Sequence, residues 1–235
     1  MKIIHTICTK IAFPAFETKT KMIKLYFITS LLIGGACTFT QSPKPKMNSV
    51  EAEWMQAASD YDSVRILNVL PQQIEAVKNY VQSQGTIYSK NKAILVDMKI
   101  PSKYFRLFVV DLRTNQILSK GMCAHGEGSE IPGTDSLRFS NIPNSYMTSL
   151  GMYKIGNAYQ GNFGKSYKLT GLEKSNDKAL VRAIVLHRYS CVPDDEQYYP
   201  ICTSLGCVML SENYFEELIP VIDGESKPMM LKIYY

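Results

Sequence analysis

The sequence has no run of like charges, no internal repeat and no low-complexity tract. Its 26 Lys and Arg residues are spread along 235 residues, which excludes a basic nucleic-acid-binding arm. A weakly basic surface, with a net charge of +5, would still suit an anionic polymer. What is present, 46% apolar residues in a chain of this length, predicts one sizeable domain with a true core.

The N-terminal region contains an apolar run, Leu25–Ile33, that is too short to be a good membrane span. Lys24 precedes the run, and small residues at 34–36 follow it. This order of a cationic start, a short apolar stretch and a small-residue cleavage region predicts a secretory signal peptide. Residues 1–21 precede a second plausible start at Met22, and we interpret them as an upstream extension.

The sequence Gly-Gly-Ala-Cys at 34–37 resembles a bacterial lipoprotein box, in which the cysteine becomes the acylated first residue. Cys37 is therefore a candidate for lipidation, with plain signal cleavage as the alternative. We expect an exported protein of the periplasm or cell envelope, held at a membrane through Cys37. The predicted organisation is an extension and signal peptide over 1–36, a polar tether over 37–49 and a single domain over 50–235 whose segment 50–90 is helical.

The remaining segments are mainly β in pattern. Pro71 and the helical spacing of Ile74, Val77 and Val81 predict one amphipathic helix that ends at Gly85, and residues 51–70 are a second helix candidate. Short apolar stretches predict strands from Ala93 onward, with a short helix after Cys207. The strand candidates are 93–100, 104–112, 116–122, 151–155, 181–187 and 229–235, and the helix candidate is 211–219.

The cysteines allow three interpretations of Cys207. Export favours disulfides, so Cys207 could pair with Cys202, Cys191 or Cys123. With His187, Cys191 and Cys202 it could also form a zinc site, but the close Cys-x-x-Cys pairs that make such a site convincing are missing. In the third interpretation Cys207 is a nucleophile.

A cysteine nucleophile needs a base to take its proton and donors for the oxyanion that forms on attack. His187 is the candidate base, because it ends the apolar run Ala-Ile-Val-Leu and would lie at the end of a buried strand. Gly206 permits a tight turn, and amides at that turn, near the start of the 211–219 helix, could stabilise negative charge.

The segment from His187 to Cys207, with 16 residues between the histidine and a Ser-x-Gly-Cys ending, resembles the active-site signature of bacterial L,D-transpeptidases. It is most similar to the murein L,D-transpeptidase catalytic domain family, and the resemblance covers roughly residues 90–235. It therefore favours the nucleophile interpretation and implies a mainly β (α+β) sandwich or barrel. The other matching stretches, in order, are FRLFVVDLRTNQIL, CAHGEGS, FSNIPNSYMTSLGMYKIG, YKLTGLE, RAIVLH and SLGCVML.

The resemblance implies roles for four catalytic residues. Cys207 would attack a peptidoglycan stem tetrapeptide and form an acyl-enzyme, while His187 would take the thiol proton and pass it to the departing amine. Amides of Gly206 and Cys207 would form the oxyanion hole, and the Ser204 carbonyl would orient the imidazole. Release by an amine of a neighbouring stem would give a cross-link between two third-position residues, and release by water would give carboxypeptidase activity. No metal, no cofactor and no nucleic-acid partner are implied, and a monomer is expected.

The resemblance also implies residues that bind substrate. His125 and Gly126 belong to the stretch CAHGEGS and would line the cleft, although a histidine of a surface loop is the alternative. Ser149 and Gly151 fall where the superfamily has a substrate-side loop that leads into a strand, and a simple turn is the alternative.

The chain departs from the family pattern at two positions, where Leu205 and Met209 replace a histidine and an arginine that many members have. Substrate contacts of that arginine therefore cannot be transferred. Our hypothesis for the cysteines is that Cys191 and Cys202 form a disulfide that pins the loop between them and leaves Cys207 free.

Two other functions compete with this one. A papain-like endopeptidase would place its cysteine well before its histidine, whereas His187 precedes Cys207 here, and the caspase signature Gln-Ala-Cys-x-Gly is absent. A non-catalytic envelope lipoprotein that binds murein with the same fold is the second alternative, and the intact residues His187, Ser204, Gly206 and Cys207 argue against it.

Overall fold

The structure is a computed structural model, and it describes residues 63–235. The expected signal peptide, the lipidation site Cys37, the tether and the first part of the helical segment lie outside the described residues. The elements in chain order are α1 (Leu70–Ser83), β1 (Lys92–Asp97), β2 (Leu107–Asp111), β3 (Ile117–Gly121), a 3-10 turn (Glu127–Ser129), β4 (Gly151–Gly161), β5 (Gly164–Gly171), β6 (Val185–Arg188), β7 (Val208–Leu210), α2 (Glu212–Asp223) and β8 (Met230–Tyr234).

Helix α1 is the predicted amphipathic helix. Pro71 lies in its first turn, where a missing N–H costs nothing, and Ile74, Val77 and Val81 form its buried face. The chain leaves the helix through Gly85, whose φ of +67° is accessible to glycine at little cost. Residues 63–68 are also helical. None of the helices within residues 63–235 is long and apolar enough to span a membrane.

The eight strands found in residues 63–235 belong to one sheet, in the order β3-β2-β1-β8-β4-β5-β6-β7. The β1–β8 and β6–β7 pairs are parallel, and the other pairs are antiparallel. Ala124, just after edge strand β3, forms an antiparallel bridge with Met209 in β7 at the opposite edge. The sheet therefore curls until its two edges meet, and the predicted mainly β fold is confirmed.

The sheet has apolar residues on both faces. In β1, Ile94 and Val96 contact the core cluster that includes α2, whereas Ala93 and Leu95 contact the cluster that includes α1. Five of its six residues are buried as a result. The predicted strand 181–187 is shorter than expected. It begins only at Val185, because residues 177–183 form turns and Ala183 has a φ of +54°.

Candidate active site

Strands β6 and β7 bring His187 and Cys207 to the same face of the sheet. Their parallel register pairs Leu186 with Val208 and His187 with Met209. Leu186 and Val208 both point into the large core, so the residues that alternate with them point to the opposite face. Cys207 directly precedes Val208 and shares that face with His187.

The backbone before Cys207 makes a sharp bend that only glycine can adopt. Gly206 has a φ of +109°, and a Cβ atom there would lie 2.8 Å from the Met147 carbonyl oxygen. The hydroxyl of Ser204 closes the bend, because it donates to the Cys207 carbonyl at 2.8 Å and accepts from the Gly206 N–H at 3.1 Å. The bend therefore presents the Cys207 side chain from a fixed position.

The thiol of Cys207 is half-buried and has polar neighbours on β6 and the turn before it. Its Sγ lies 3.7 Å from the carbonyl oxygen of Ala183. Burial raises the pKa of Cys207, while the backbone N–H of Val185 and the positive charge of Arg182 oppose that rise. The resting cysteine is therefore a neutral thiol at neutral pH.

His187 is a buried, neutral base. Burial lowers its pKa, and a hydrogen bond to the Arg188 carbonyl works in the opposite direction. Because a carbonyl only accepts, the Nδ1 atom, 3.0 Å from that oxygen, carries the ring proton and donates it. The Nε2 atom is left with the lone pair that a general base needs.

Two of the backbone groups that were expected to act in catalysis have other hydrogen-bond partners in this structure. The Ser204 carbonyl does not orient the imidazole, since it accepts from the Glu127 N–H at 2.8 Å, whereas His187 is held by Arg188. The Gly206 N–H is already bonded to the Ser204 hydroxyl, so it is not available for an oxyanion in this conformation. For Ser204 the physical reason is its pairing with residues 125–127, because its N–H donates to the His125 carbonyl and its carbonyl accepts from the Glu127 N–H. Within residues 63–235 the Cys207 N–H has no acceptor.

Arg182 is a site residue that the sequence analysis did not single out. Its guanidinium donates to the carbonyl oxygens of Ser140 and Met147 and to the Ser149 hydroxyl. It lies against the glycine bend, because a Cβ at Gly206 would come within 3.1 Å of an Arg182 nitrogen. In the sequence, Arg182 could have been noticed because it directly precedes the apolar run Ala-Ile-Val-Leu, which ends at His187. Arg182 therefore ties the 140–149 loop to the bend before Cys207, and its positive charge acts on the Cys207 thiol.

The four expected substrate-binding residues have different surroundings. Gly126 packs on the bend, and a Cβ there would lie 2.9 Å from the Gly206 Cα. Ser149 and Gly151 are buried in this structure, and their expected contact with substrate stays a prediction. Ser149 is bonded to Arg182 and Tyr153, and Gly151 is packed beside Asn176.

The His125 imidazole points away from the thiol. It lies in a separate cavity, against Arg106, and neither Cys207 nor His187 lines that cavity. The backbone of His125 nevertheless touches the site, since its carbonyl accepts the Ser204 N–H at 2.7 Å.

The cysteines pair as the hypothesis stated: a disulfide joins Cys191 to Cys202, and Cys123 and Cys207 are free. Cys123 is fully buried, and burial raises its pKa to about 11. The zinc set considered for His187, Cys191, Cys202 and Cys207 is therefore not available, because two of its four ligands are joined to each other.

Comparison with known protein families shows the family of the chain. The family model described as the L,D-transpeptidase catalytic domain matches residues 67–231, so the chain belongs to that family, and the resemblance seen in the sequence is confirmed. A comparison with curated proteins found no match.

Several solved L,D-transpeptidases are similar to the chain at low identity. One from Xylanimonas cellulosilytica is 16% identical with a TM-score of 0.36, over 62% of this chain and 61% of that one. One from Stackebrandtia nassauensis is 15% identical with a TM-score of 0.38, over 63% and 57%. A third, solved in complex with imipenem, is 11% identical with a TM-score of 0.37, over 61% and 59%. The chain thus spans about three fifths of the length of these proteins.

Proposed function

We propose that the protein is a peptidoglycan L,D-transpeptidase that works through a thioester on Cys207. The observation that carries the proposal is the β6–β7 register, which places a neutral imidazole and a thiol on one face in a member of this family. The glycine bend also supports the proposal, because it holds the Cys207 sulfur next to the Cys207 N–H, which has no acceptor among residues 63–235.

In the acylation step, Nε2 of His187 takes the thiol proton while the sulfur attacks the carbonyl carbon of the third residue in a stem tetrapeptide. A carbon–sulfur bond forms, and the amide carbon–nitrogen bond to the fourth residue breaks. The proton moves from His187 to the departing amine. The Cys207 N–H donates to the oxyanion, and Arg182 lowers the cost of negative charge at the sulfur.

In the second step, an amine of a neighbouring stem attacks the thioester. Its proton passes to His187, the carbon–sulfur bond breaks, and the thiol is restored with that proton. The product is a cross-link between two third-position residues. A free amino acid as acceptor would exchange the terminal residue, and water would give L,D-carboxypeptidase activity.

Incubation with disaccharide tetrapeptides separates the possible activities. A new dimer identifies a transpeptidase, a stem shortened by one residue identifies a carboxypeptidase, and unchanged substrate with measurable binding identifies a non-catalytic murein-binding protein. We expect the dimer from the wild type and no product from Cys207→Ala. Unchanged substrate with the wild type would overturn the proposal.

Labelling by a carbapenem tests the nucleophile directly. The sulfur attacks the strained lactam carbonyl and the ring carbon–nitrogen bond breaks, so the whole drug stays attached and no group leaves. We expect one adduct on the wild type and on Cys123→Ala, and none on Cys207→Ala, because Cys123 is buried and protonated. An adduct on Cys207→Ala would contradict the assignment.

We propose further that the protein is exported and lipid-anchored at Cys37. The disulfide between Cys191 and Cys202 supports an oxidising compartment, where such bonds persist. Cys37→Ser should move the protein from the membrane fraction to the soluble fraction after cell lysis. A membrane fraction unchanged by this substitution would contradict the anchor.

A further inference from the structure

A groove with a volume of about 410 Å³ is lined by residues of strands β4 and β5. Lys154, Lys168 and Thr170 line it, together with Leu180 and Pro228. Lys154 is paired with Thr170 across the two strands, and Lys168 lies two residues before Thr170 on the same side of β5. Both lysine side chains therefore belong to one polar groove.

The groove lies on the face of the sheet that carries the candidate base and nucleophile. Lys168 alternates with core residues of β5, so its side chain points away from the large core. It is paired with Val185 of β6, which also lies between two core residues. Lys168 and Val185 therefore share the face of His187 and Cys207.

Val185 connects the groove with the nucleophile. Its backbone N–H bonds to the Cys207 thiol, and the turn before it places the Ala183 carbonyl 3.7 Å from Sγ. Leu180, which lines the groove, belongs to the same turn. Lys168 lies two strands from Cys207, and two strand spacings amount to roughly 10 Å. An extended peptide covers that span in about three residues, or in fewer where a residue is linked through its side chain.

The two lysines of the groove have no charged partner in the described part of the chain. The neighbouring Lys92 and Lys165 each form a salt bridge with a carboxylate, whereas Lys154 and Lys168 form none within residues 63–235. The Nζ atom of Lys168 lies 5.4 Å from the centroid of the Tyr159 ring. No Asp or Glu among residues 63–235 lines the groove. Its two positive charges are therefore available to an anion.

The position of His187 gives the direction in which a bound stem peptide extends. In the proposed reaction the departing amine receives its proton from His187, so the leaving residue lies beside that imidazole. The part of the stem that stays on the sulfur extends away from His187. On this face of the sheet, Val185 and then Lys168 lie in that direction.

We propose that Lys154 and Lys168 bind the free α-carboxylate of the second residue of the donor stem. That residue is a glutamate linked through its γ-carboxyl, so its α-carboxylate remains free just before the residue that Cys207 attacks. The two ammonium groups would make the enzyme select stems with a free carboxylate over stems in which this group is an amide. The inference rests on the proposed function and specifies which part of the donor is recognised.

Calorimetric titration of the Cys207→Ala protein with four tetrapeptides tests binding apart from turnover. The second residue is γ-D-glutamate or its α-amide, and the third is meso-diaminopimelate or L-lysine, which lacks the far carboxylate. We expect amidation of the second residue to weaken binding at least threefold with either third residue. The difference should shrink at high salt, because exposed charges are screened.

Three results of this titration would overturn the inference. They are equal binding of acid and amide forms, a loss that follows the third residue alone, and the absence of saturable binding. Product formation by the wild type decides the proposed function separately. A protein that prefers the acid form in binding but yields neither a dimer nor a shortened stem would contradict acyl transfer alone.

Variants locate the preference. Lys154→Gln with Lys168→Gln should bind the acid and amide forms equally, whereas Lys154→Arg with Lys168→Arg should keep the preference because both charges remain. Lys90→Gln is the matched control, since this exposed lysine lies outside the groove. A preference that survives the double glutamine variant would place the carboxylate elsewhere and contradict the assignment.

Discussion

The ring of Phe163 is stacked on the imidazole of His187, with centroids 4.2 Å apart and planes inclined by 24°. Phe163 lies at the tip of the β4–β5 hairpin and also meets Tyr189 edge to face. The candidate base is therefore covered on one face by a residue from a different part of the sheet. This contact accounts for part of the burial that lowers the pKa of His187.

Removing the Phe163 ring should raise the pKa of His187 toward the ordinary histidine value, because water then reaches the charged form. Only neutral imidazole can accept the thiol proton, so the acid limb of the acylation rate should move to higher pH in Phe163→Ala. NMR titration of the imidazole C–H signal measures the shift. Tyr199→Ala, which removes an aromatic ring that is 74% exposed, should change neither quantity. An unchanged pKa in Phe163→Ala would contradict this origin of the shift.

The two free thiols should differ in their reaction with iodoacetamide. Burial raises the pKa of both, but Cys123 is fully buried whereas Cys207 is partly accessible. In native protein without substrate, Cys207 alone should be alkylated, at a rate that keeps rising above neutral pH, because thiolate forms only as the pH approaches the raised pKa. Peptide mapping identifies the modified residue. A rate that is already constant at neutral pH would indicate a preformed thiolate–imidazolium pair instead.

Replacement of Arg182 should slow acylation about 10-fold to 100-fold. The estimate corresponds to the loss of charge-assisted hydrogen bonds worth about 1.5–3 kcal/mol. Arg182→Gln should also raise the pKa of Cys207, because it removes the nearest cation, whereas Arg182→Lys should keep that pKa and lose mainly the contacts to the 140–149 loop.

Arg182 is expected to contribute a positive charge near the thiol and hydrogen bonds to the 140–149 loop. Carbapenem labelling rates measured across pH separate these two contributions. Arg113→Gln is the control, since this arginine is exposed on the β2–β3 turn. Equal rate profiles for wild type and Arg182→Gln would show that the guanidinium does not act on the thiol.

Two glycines with positive φ should respond differently to alanine. Gly133 has a φ of +76° and open space around it, so Gly133→Ala should cost about 1–2 kcal/mol of stability and keep acylation. In Gly206→Ala the added Cβ would lie 2.8 Å from the Met147 carbonyl oxygen, and the cost of a positive φ for alanine adds to this clash. The bend must therefore move, and acylation should be lost. Urea unfolding and carbapenem labelling measure the two effects. Normal labelling of Gly206→Ala would show that the bend is not needed to present the sulfur.

The disulfide should stabilise the native state. Its partners are 11 residues apart, and closing a loop of that size in the unfolded chain is worth about 3 kcal/mol in the chain-entropy model. The double variant Cys191→Ser with Cys202→Ser should therefore lower the free energy of unfolding by about that amount, measured by denaturant titration. A thiol reductant should reduce the stability of the wild type and not that of the double variant. Equal stability of the two oxidised proteins would contradict the estimate.

Sequence patterns predicted the parts of the site that depend on local order. The helical spacing of Ile74, Val77 and Val81 predicted α1 correctly. The His-then-Cys order with a glycine bend predicted that His187 and Cys207 lie close to each other, and the β6–β7 register puts them on one face of the sheet. These features follow from residues close together in the chain or from a distinctive motif.

The hydrogen-bond partners of the site could not be predicted in the same way. The Ser204 carbonyl is occupied by Glu127, which lies far away in the sequence, and Ser149 is bonded to Arg182 through folding of separate segments. The strand 181–187 was predicted too long, because nothing in its apolar pattern shows that Ala183 adopts a left-handed conformation. The hydrogen-bond partners of such groups depend on the pairing of segments that are distant in the sequence, and no local sequence pattern predicts them.

Strand β8 follows all other strands in the chain, yet it lies in the interior of the sheet between β1 and β4. A polypeptide emerging from its N-terminal end, whether from a ribosome or through a translocation channel, cannot complete the sheet between β1 and β4 until Met230–Tyr234 arrives. Until then β1 and β4 each expose an unpaired strand edge, which is prone to aggregate. The domain should consequently reach its native state only after the C-terminal residues are released, and removal of β8 should leave an insoluble chain.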